Sequence, residues 1–285
     1  MGEEKKRLPV GLENFEQIIK DNYYYVDKTG LISELIRNGG MVNLFTRPRR
    51  FGKTLNMSML EHFFSIEGEQ SIFDGLEISK DTKLCEEHMG KYPVISISLK
   101  GINAATYETA FDFAIQLMQR TAEEFQFLSD SEYLSEHDKS VYRELLDSNM
   151  SETVFCGGLK ILSKLLEKHY RLKGFLLIDE YDVPLAKAFE NGYYEQMIFQ
   201  DYVNVFPENY WINTSSNDAV KKFIQMSDNL KTKREIETLL AGGEIIKEIH
   251  QELIYPEMYQ SLENVWSLLF MTGYLTQRGR VDAKP

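Results

Sequence analysis

Gly52-Lys53-Thr54 and Asp179-Glu180 are the residues of this sequence whose types could do chemistry together. A glycine lets backbone amides approach an anion, a lysine ammonium neutralises β/γ-phosphate charge, and a threonine hydroxyl is a hard oxygen ligand for Mg²⁺. The full stretch reads Asn43-Leu44-Phe45-Thr46-Arg47-Pro48-Arg49-Arg50-Phe51-Gly52-Lys53-Thr54. It has the layout of a phosphate-cradling loop, except that Arg47 stands where the usual spacing has its first Gly. The context on both sides supports the loop. Met41 to Phe45 is apolar enough for the strand that feeds it. Thr54 to Phe64 reads as the helix that follows, with Leu55, Met59, Leu60 and Phe63 as its buried stripe.

The second stretch is Gly174-Phe-Leu-Leu-Ile-Asp-Glu-Tyr-Asp182. Its apolar run predicts a buried central strand, with Asp179 and Glu180 at the C-terminal end, where open α/β sheets bind ligands. An Asp there can hold the Mg²⁺ shell, and a neighbouring Glu can orient or deprotonate an attacking water. By themselves the two carboxylates could equally be the polar turn after a strand. Beside the Gly-Lys-Thr loop they read as the other half of a nucleotide site.

The elements that must position these groups alternate. Phe15, Ile18 and Ile19 lie at helical spacing, the run Tyr23-Tyr24-Tyr25-Val26 follows, and Asp27 or Thr29 can cap a helix carrying Leu31, Ile32, Leu35 and Ile36. That segment is either a helical hairpin packed beside the sheet or an adenine-side wall. Tyr92 to Leu99 is a second β-type run. Tyr107 to Phe127, Asp130 to Asp147 and Thr153 to His169 read as helices, the second of them at the surface. Strands alternating with helices predict an α/β fold with a mostly parallel, helix-covered sheet.

Composition narrows the function. The 285 residues are 43% hydrophobic with a formal net charge of -12, which argues for a folded chain and against direct nucleic-acid binding. The dense basic cluster Arg47, Arg49, Arg50 and Lys53 is one that nucleotide phosphates would satisfy. Two separated cysteines, Cys85 and Cys156, suggest a reducing compartment. No run of about 18 apolar residues occurs and Met1–Arg7 has no apolar leader segment, so no membrane span is expected and the chain is expected to be cytoplasmic.

Arg-Pro-Arg-Arg-Phe-Gly-Lys-Thr54, the preceding Tyr25-Val-Asp-Lys-Thr29, and Leu177-Ile-Asp-Glu-Tyr-Asp-Val-Pro-Leu185 together resemble the predicted AAA-ATPase-like family of bacteria and archaea. The resemblance implies a P-loop NTPase domain over residues 7–198 that uses ATP and Mg²⁺. Arg49, Arg50, Phe51, Gly52, Lys53 and Thr54 then line the nucleotide, with Arg49 or Arg50 touching phosphate or an adjacent subunit. Thr54 and Asp179 hold the metal, and Lys53 and Glu180 are catalytic. Arg47 in place of Gly fits the family pattern. Family members often carry a PD-(D/E)xK nuclease-like domain, but the Glu-x-Lys spacings here lie in the charged N-terminal tail, so no nuclease activity is expected.

Beyond Ile198 the chain departs from the family pattern. No Val/Ile-rich strand ending in a polar sensor residue lies between Asp182 and Tyr210, and no Arg lies between Arg171 and Arg234, which suggests an internal deletion near Ile198. Residues 209–285 read as a small, mainly helical α/β lid or linker: a helix from Asp218 to Met226 capped by Asn213 or Ser216, a helix from Thr232 to Leu240, an edge strand Glu244–His250, a helix from Met258 to Met271 and a closing strand at Tyr274–Thr276. Cys85-x-x-His88 is half of a zinc spacing with no partner pair. Three readings follow: an ATPase module coupled to a protein partner, a second subunit or a nuclease-like domain; a nucleotide sensor without turnover; or a truncated relative without a working site. The absence of Asn-Lys-x-Asp tilts base choice towards adenine.

Overall fold

A computed structural model of the protein describes residues 6–45, 51–199, 230–250, 257 and 260–278. Two short apolar runs form its sheet. Strand β1 (Val94–Ser98) pairs in parallel with β2 (Phe175–Asp179), Val94 opposite Phe175 and Ser98 opposite Asp179. Parallel neighbours need a long crossover, and three helices supply it: α5 (Tyr107–Glu123), α6 (Glu136–Leu145) and α7 (Glu152–Tyr170). Each starts where a hydroxyl can cap. Thr106, Ser135 and Ser151 accept the amides of Thr109, Asp138 and Val154, and Asp138 completes a capping box.

Side-chain alternation along the strands divides the interior in two. Ile95 and Ile97 face a core with Ala114 and Met118 of α5, Leu159 and Leu162 of α7, and Leu185 of α8 (Val183–Asn191). Leu177 faces the opposite core, where Met59, Leu60, Phe63 and Phe64 of α3 (Lys53–Phe64) meet Phe15 of α1 (Phe15–Lys20) and Ile32 of α2 (Gly30–Asn38). The short helix α4 (Thr82–His88) closes this side through Leu84. Phe64 stacks on Phe175 at 4.1 Å between ring centroids, locking α3 to β2. The strands draw close at their start because position 174 is Gly. A Cβ there would lie 2.4 Å from the Pro93 carbonyl oxygen.

Several expectations need correction. Met41–Phe45 forms no strand, and Met41, Val42, Leu44 and Phe45 are all exposed. An apolar run without a paired neighbour gains nothing from extended backbone, and among the described residues the sheet has two strands rather than the larger set expected. The helix expected to reach Phe127 stops at Glu123 and passes into a 3₁₀ turn, Gln126–Asp130. The helix α6, expected at the surface, buries Tyr142 and Leu145 in the larger core. Leu55, expected in the buried stripe of α3, is only partly buried.

After α8 comes α9 (Tyr194–Phe199), and the expected helix at Asp218–Met226 with its caps lies outside the described residues. In the tail, α10 (Leu230–Leu240) covers the expected Thr232–Leu240 helix, while α11 (Leu262–Met271) begins at the Ser261 cap, four residues later than the expected Met258. Ile236 and Leu239 pack on Val265, Trp266 and Leu269, while Leu268 enters the core beneath β1. Residues 244–250 show the alternating exposure of an edge strand but form no ladder among the described residues, and 274–276 forms no strand.

Candidate functional site

The loop meets α3 at Gly52, whose φ of 78° is left-handed, a conformation that costs a side-chain-bearing residue about 1–2 kcal/mol. Helix α3 then starts at Lys53 with no side-chain cap on its first amides and no acidic residue in its first turn. A helix start of this kind carries partial positive charge, the arrangement that receives an anion. Thr54 sits in that first turn, half-buried.

Strand alternation brings the carboxylate to it. Phe175, Leu177 and Asp179 share the face of β2 that packs on α3, so the strand's last residue arrives above the helix's first turn. The Thr54 hydroxyl donates to Asp179 Oδ2 at 2.7 Å, across 125 residues of sequence. Asp179 is 9% exposed. The pair thus joins the two separated motifs. It also fits a metal: adjacent ligands of an octahedral Mg²⁺, each about 2.0–2.1 Å from the ion, stand about 2.9 Å apart.

Glu180 follows with φ of 52°, left-handed backbone for a residue other than glycine. Such strain persists only where surrounding structure imposes it, and it concentrates at functional sites. The kink turns the chain off the strand; the Val183 amide donates to the Glu180 carbonyl at 3.1 Å and α8 begins with Pro184 in its first turn. Asp182 at the start of α8 is fully buried. Its burial marks a carboxylate that spacing alone had not distinguished from a polar turn residue; a Pro two positions later is the one helix-start signal beside it.

The other expected site residues fall in different places. Lys53 is half-buried at the start of α3, and Phe51 is 59% exposed beside Gly52. Arg47, Arg49 and Arg50 lie outside the described residues. The tyrosine run does not act as one wall. Tyr23 lies beneath the Arg7 guanidinium, Tyr24 faces solvent, and Tyr25 packs edge-on to Phe15 in the core. Burial, with the Asp27 carboxylate nearby, pushes the Tyr25 phenol up to about 12, so it stays protonated and donates to the Met59 sulfur of α3 at 3.5 Å. At the half zinc spacing, the Cys85 thiol donates to the Ile78 carbonyl at 3.3 Å and His88 Nδ1 pairs with the Tyr92 hydroxyl at 2.7 Å.

Over 98 residues the chain is 40% identical to an uncharacterised protein in the vnfD 5' region of Azotobacter chroococcum mcd 1, a stretch that covers 34% of this chain and 18% of that protein. No solved structure matches the chain. Among the described residues no helix is long and apolar enough to cross a membrane. Residues 9–231 match the family described as predicted AAA-ATPase. The chain therefore belongs to the predicted AAA-ATPase family.

Proposed function

We propose that the chain binds ATP with Mg²⁺ at the Gly52–Thr54 turn and hydrolyses it. The contact between Thr54 and Asp179 carries this reading, because it closes the two motifs into one oxygen-rich pair at an uncapped helix start. Amides of the first turn of α3 bind phosphate oxygens, and the Lys53 ammonium neutralises charge on the β- and γ-groups. Thr54 and Asp179 hold the metal, which when bound neutralises charge on the transferring phosphoryl group. Glu180 orients a water and accepts its proton as the oxygen attacks the γ-phosphorus and the bond to the β-phosphate breaks, giving ADP and phosphate. Arg49 and Arg50 are placed by sequence to add charge to the same phosphates or to an adjacent subunit.

Calorimetry of ATP–Mg²⁺ on the wild type and on Lys53→Ala, with phosphate release on the same samples, tests the reading. It requires binding that Lys53→Ala abolishes and turnover that Glu180→Gln abolishes. One observation favours a second reading, a nucleotide sensor that signals to a partner without turnover. The segment that precedes the loop, Met41–Phe45, is exposed and pairs with no strand among the described residues. Binding that survives without phosphate release identifies the sensor, and no binding in the wild type refutes both readings.

A further inference from the structure

Lys28 lies in the loop before α2, far in sequence from either nucleotide motif, yet its side chain reaches the phosphate turn. A Cβ built on Gly52 would stand 3.7 Å from Lys28 Nζ, the nearest atom outside Gly52 and its own chain neighbours among the described residues. The loop that presents it is clamped. Asp27 Oδ1 accepts the Thr29 amide at 2.9 Å and the Thr29 hydroxyl at 2.7 Å, while Oδ2 accepts the Glu77 amide at 2.7 Å. The Thr29 hydroxyl, fully buried, also accepts the Ile78 amide at 3.1 Å. The Lys28 amide donates to the Tyr25 hydroxyl at 3.3 Å, and that hydroxyl is tied to Met59 of α3. Burial works against the Asp27 carboxylate, but the Thr29 and Glu77 donors outweigh it and hold its pKa below the usual value. The clamp therefore stays charged at neutral pH.

The Lys28 ammonium is exposed and stands beside a helix start that already carries partial positive charge, which disfavours a second cation there. Among the described residues Lys28 forms no ion pair that would explain it. An anion between the two lysines removes the conflict. We propose that Lys28 is a phosphate-binding residue of this site, its ammonium contacting oxygens of a polyphosphate seated over Gly52 and Lys53; the proposal rests on the nucleotide reading above. It supplies a positive charge from the N-terminal segment in a chain that has no arginine between Arg171 and Arg234.

The test is calorimetry with ATP–Mg²⁺ and with inorganic tripolyphosphate, which lacks the adenosine end, on the wild type, Lys28→Met, Lys28→Arg and Lys53→Ala. Lys28→Met is expected to weaken both ligands by the same factor, about 10- to 100-fold, the range of a charge-assisted hydrogen bond. Lys28→Arg is expected to stay within a few-fold of wild type, and the ligand-free melting temperature of Lys28→Met to be unchanged. Wild-type binding that Lys53→Ala abolishes but Lys28→Met leaves intact overturns the role of Lys28 alone. A loss of affinity in Lys28→Met that Lys28→Arg does not rescue, with a lowered ligand-free melting temperature, also overturns it. No binding by the wild type removes the nucleotide reading and this inference together.

Discussion

Thr54→Val replaces a hydroxyl by a methyl of similar size, and both residues are β-branched, so helix propensity and volume nearly cancel. What remains is the donor to Asp179, a 2.7 Å bond to a carboxylate 9% exposed. Hydrogen bonds to charged groups contribute about 1.5–3 kcal/mol, and a buried carboxylate deprived of its donor bears most of that loss. At about 2–4 °C per kcal/mol for a chain of this size, the ligand-free protein should melt roughly 3–12 °C lower. Thr54→Ser keeps the donor and loses one half-buried methyl, a change of about 0.8 kcal/mol at most. Urea unfolding of Thr54→Val, Asp179→Ala and the double variant isolates the pair, which should show at least about 1 kcal/mol of coupling. ATP–Mg²⁺ should then stabilise the wild type and Thr54→Ser but not Thr54→Val, since stabilisation follows affinity. A Thr54→Val protein within about 0.5 kcal/mol of wild type, with no coupling to Asp179, would refute the account of how the two motifs are joined.

Two further outcomes concern the scaffold. Leu60→Ala, in the fully packed face of α3 against β2, should destabilise the protein by about 2–5 kcal/mol in urea unfolding while leaving Gly52 and Thr54 in place. Asp138 tests the pH dependence: the Lys168 ammonium at 2.5 Å, helped by the Ser135 hydroxyl and amide, lowers its carboxyl pKa to about 2. A native pKa below the unfolded one stabilises above about pH 4 and is lost as pH falls towards 2. Melting curves of wild type and Asp138→Asn should thus differ near neutrality by about 1 kcal/mol at most, the scale of a partly exposed pair and cap, and converge near pH 2.

The position of the candidate site was legible in sequence because its residues lie in local patterns of short spacing. Gly52-Lys53-Thr54 before an apolar stripe, and Asp179-Glu180 after an apolar run, are local patterns, and both fall where expected, at the start of α3 and the end of β2. Apolar periodicity likewise set most helix positions, because buried stripes are a local demand, whereas Thr29, a candidate cap of α2, stands at its start without a side-chain cap bond. Met41–Phe45 was misread for the complementary reason. Strand formation depends on a partner that sequence does not name, and the exposed run has none among the described residues.

Tertiary structure alone decided how the pieces face one another. The parity of β2 sends Asp179 rather than Ile178 towards α3, so that Thr54 finds an acceptor 125 residues away. Burial separated Asp182 from an ordinary turn carboxylate and assigned Tyr25 to the core instead of to a ligand wall. The approach of Lys28 to Gly52 depends on a clamp whose donors come from residues 77 and 78, some 50 positions on, a relation no local spacing encodes. Residue identity determined which functional groups were available; the register of two parallel strands and the packing of α3 on one face determined which of them stand side by side.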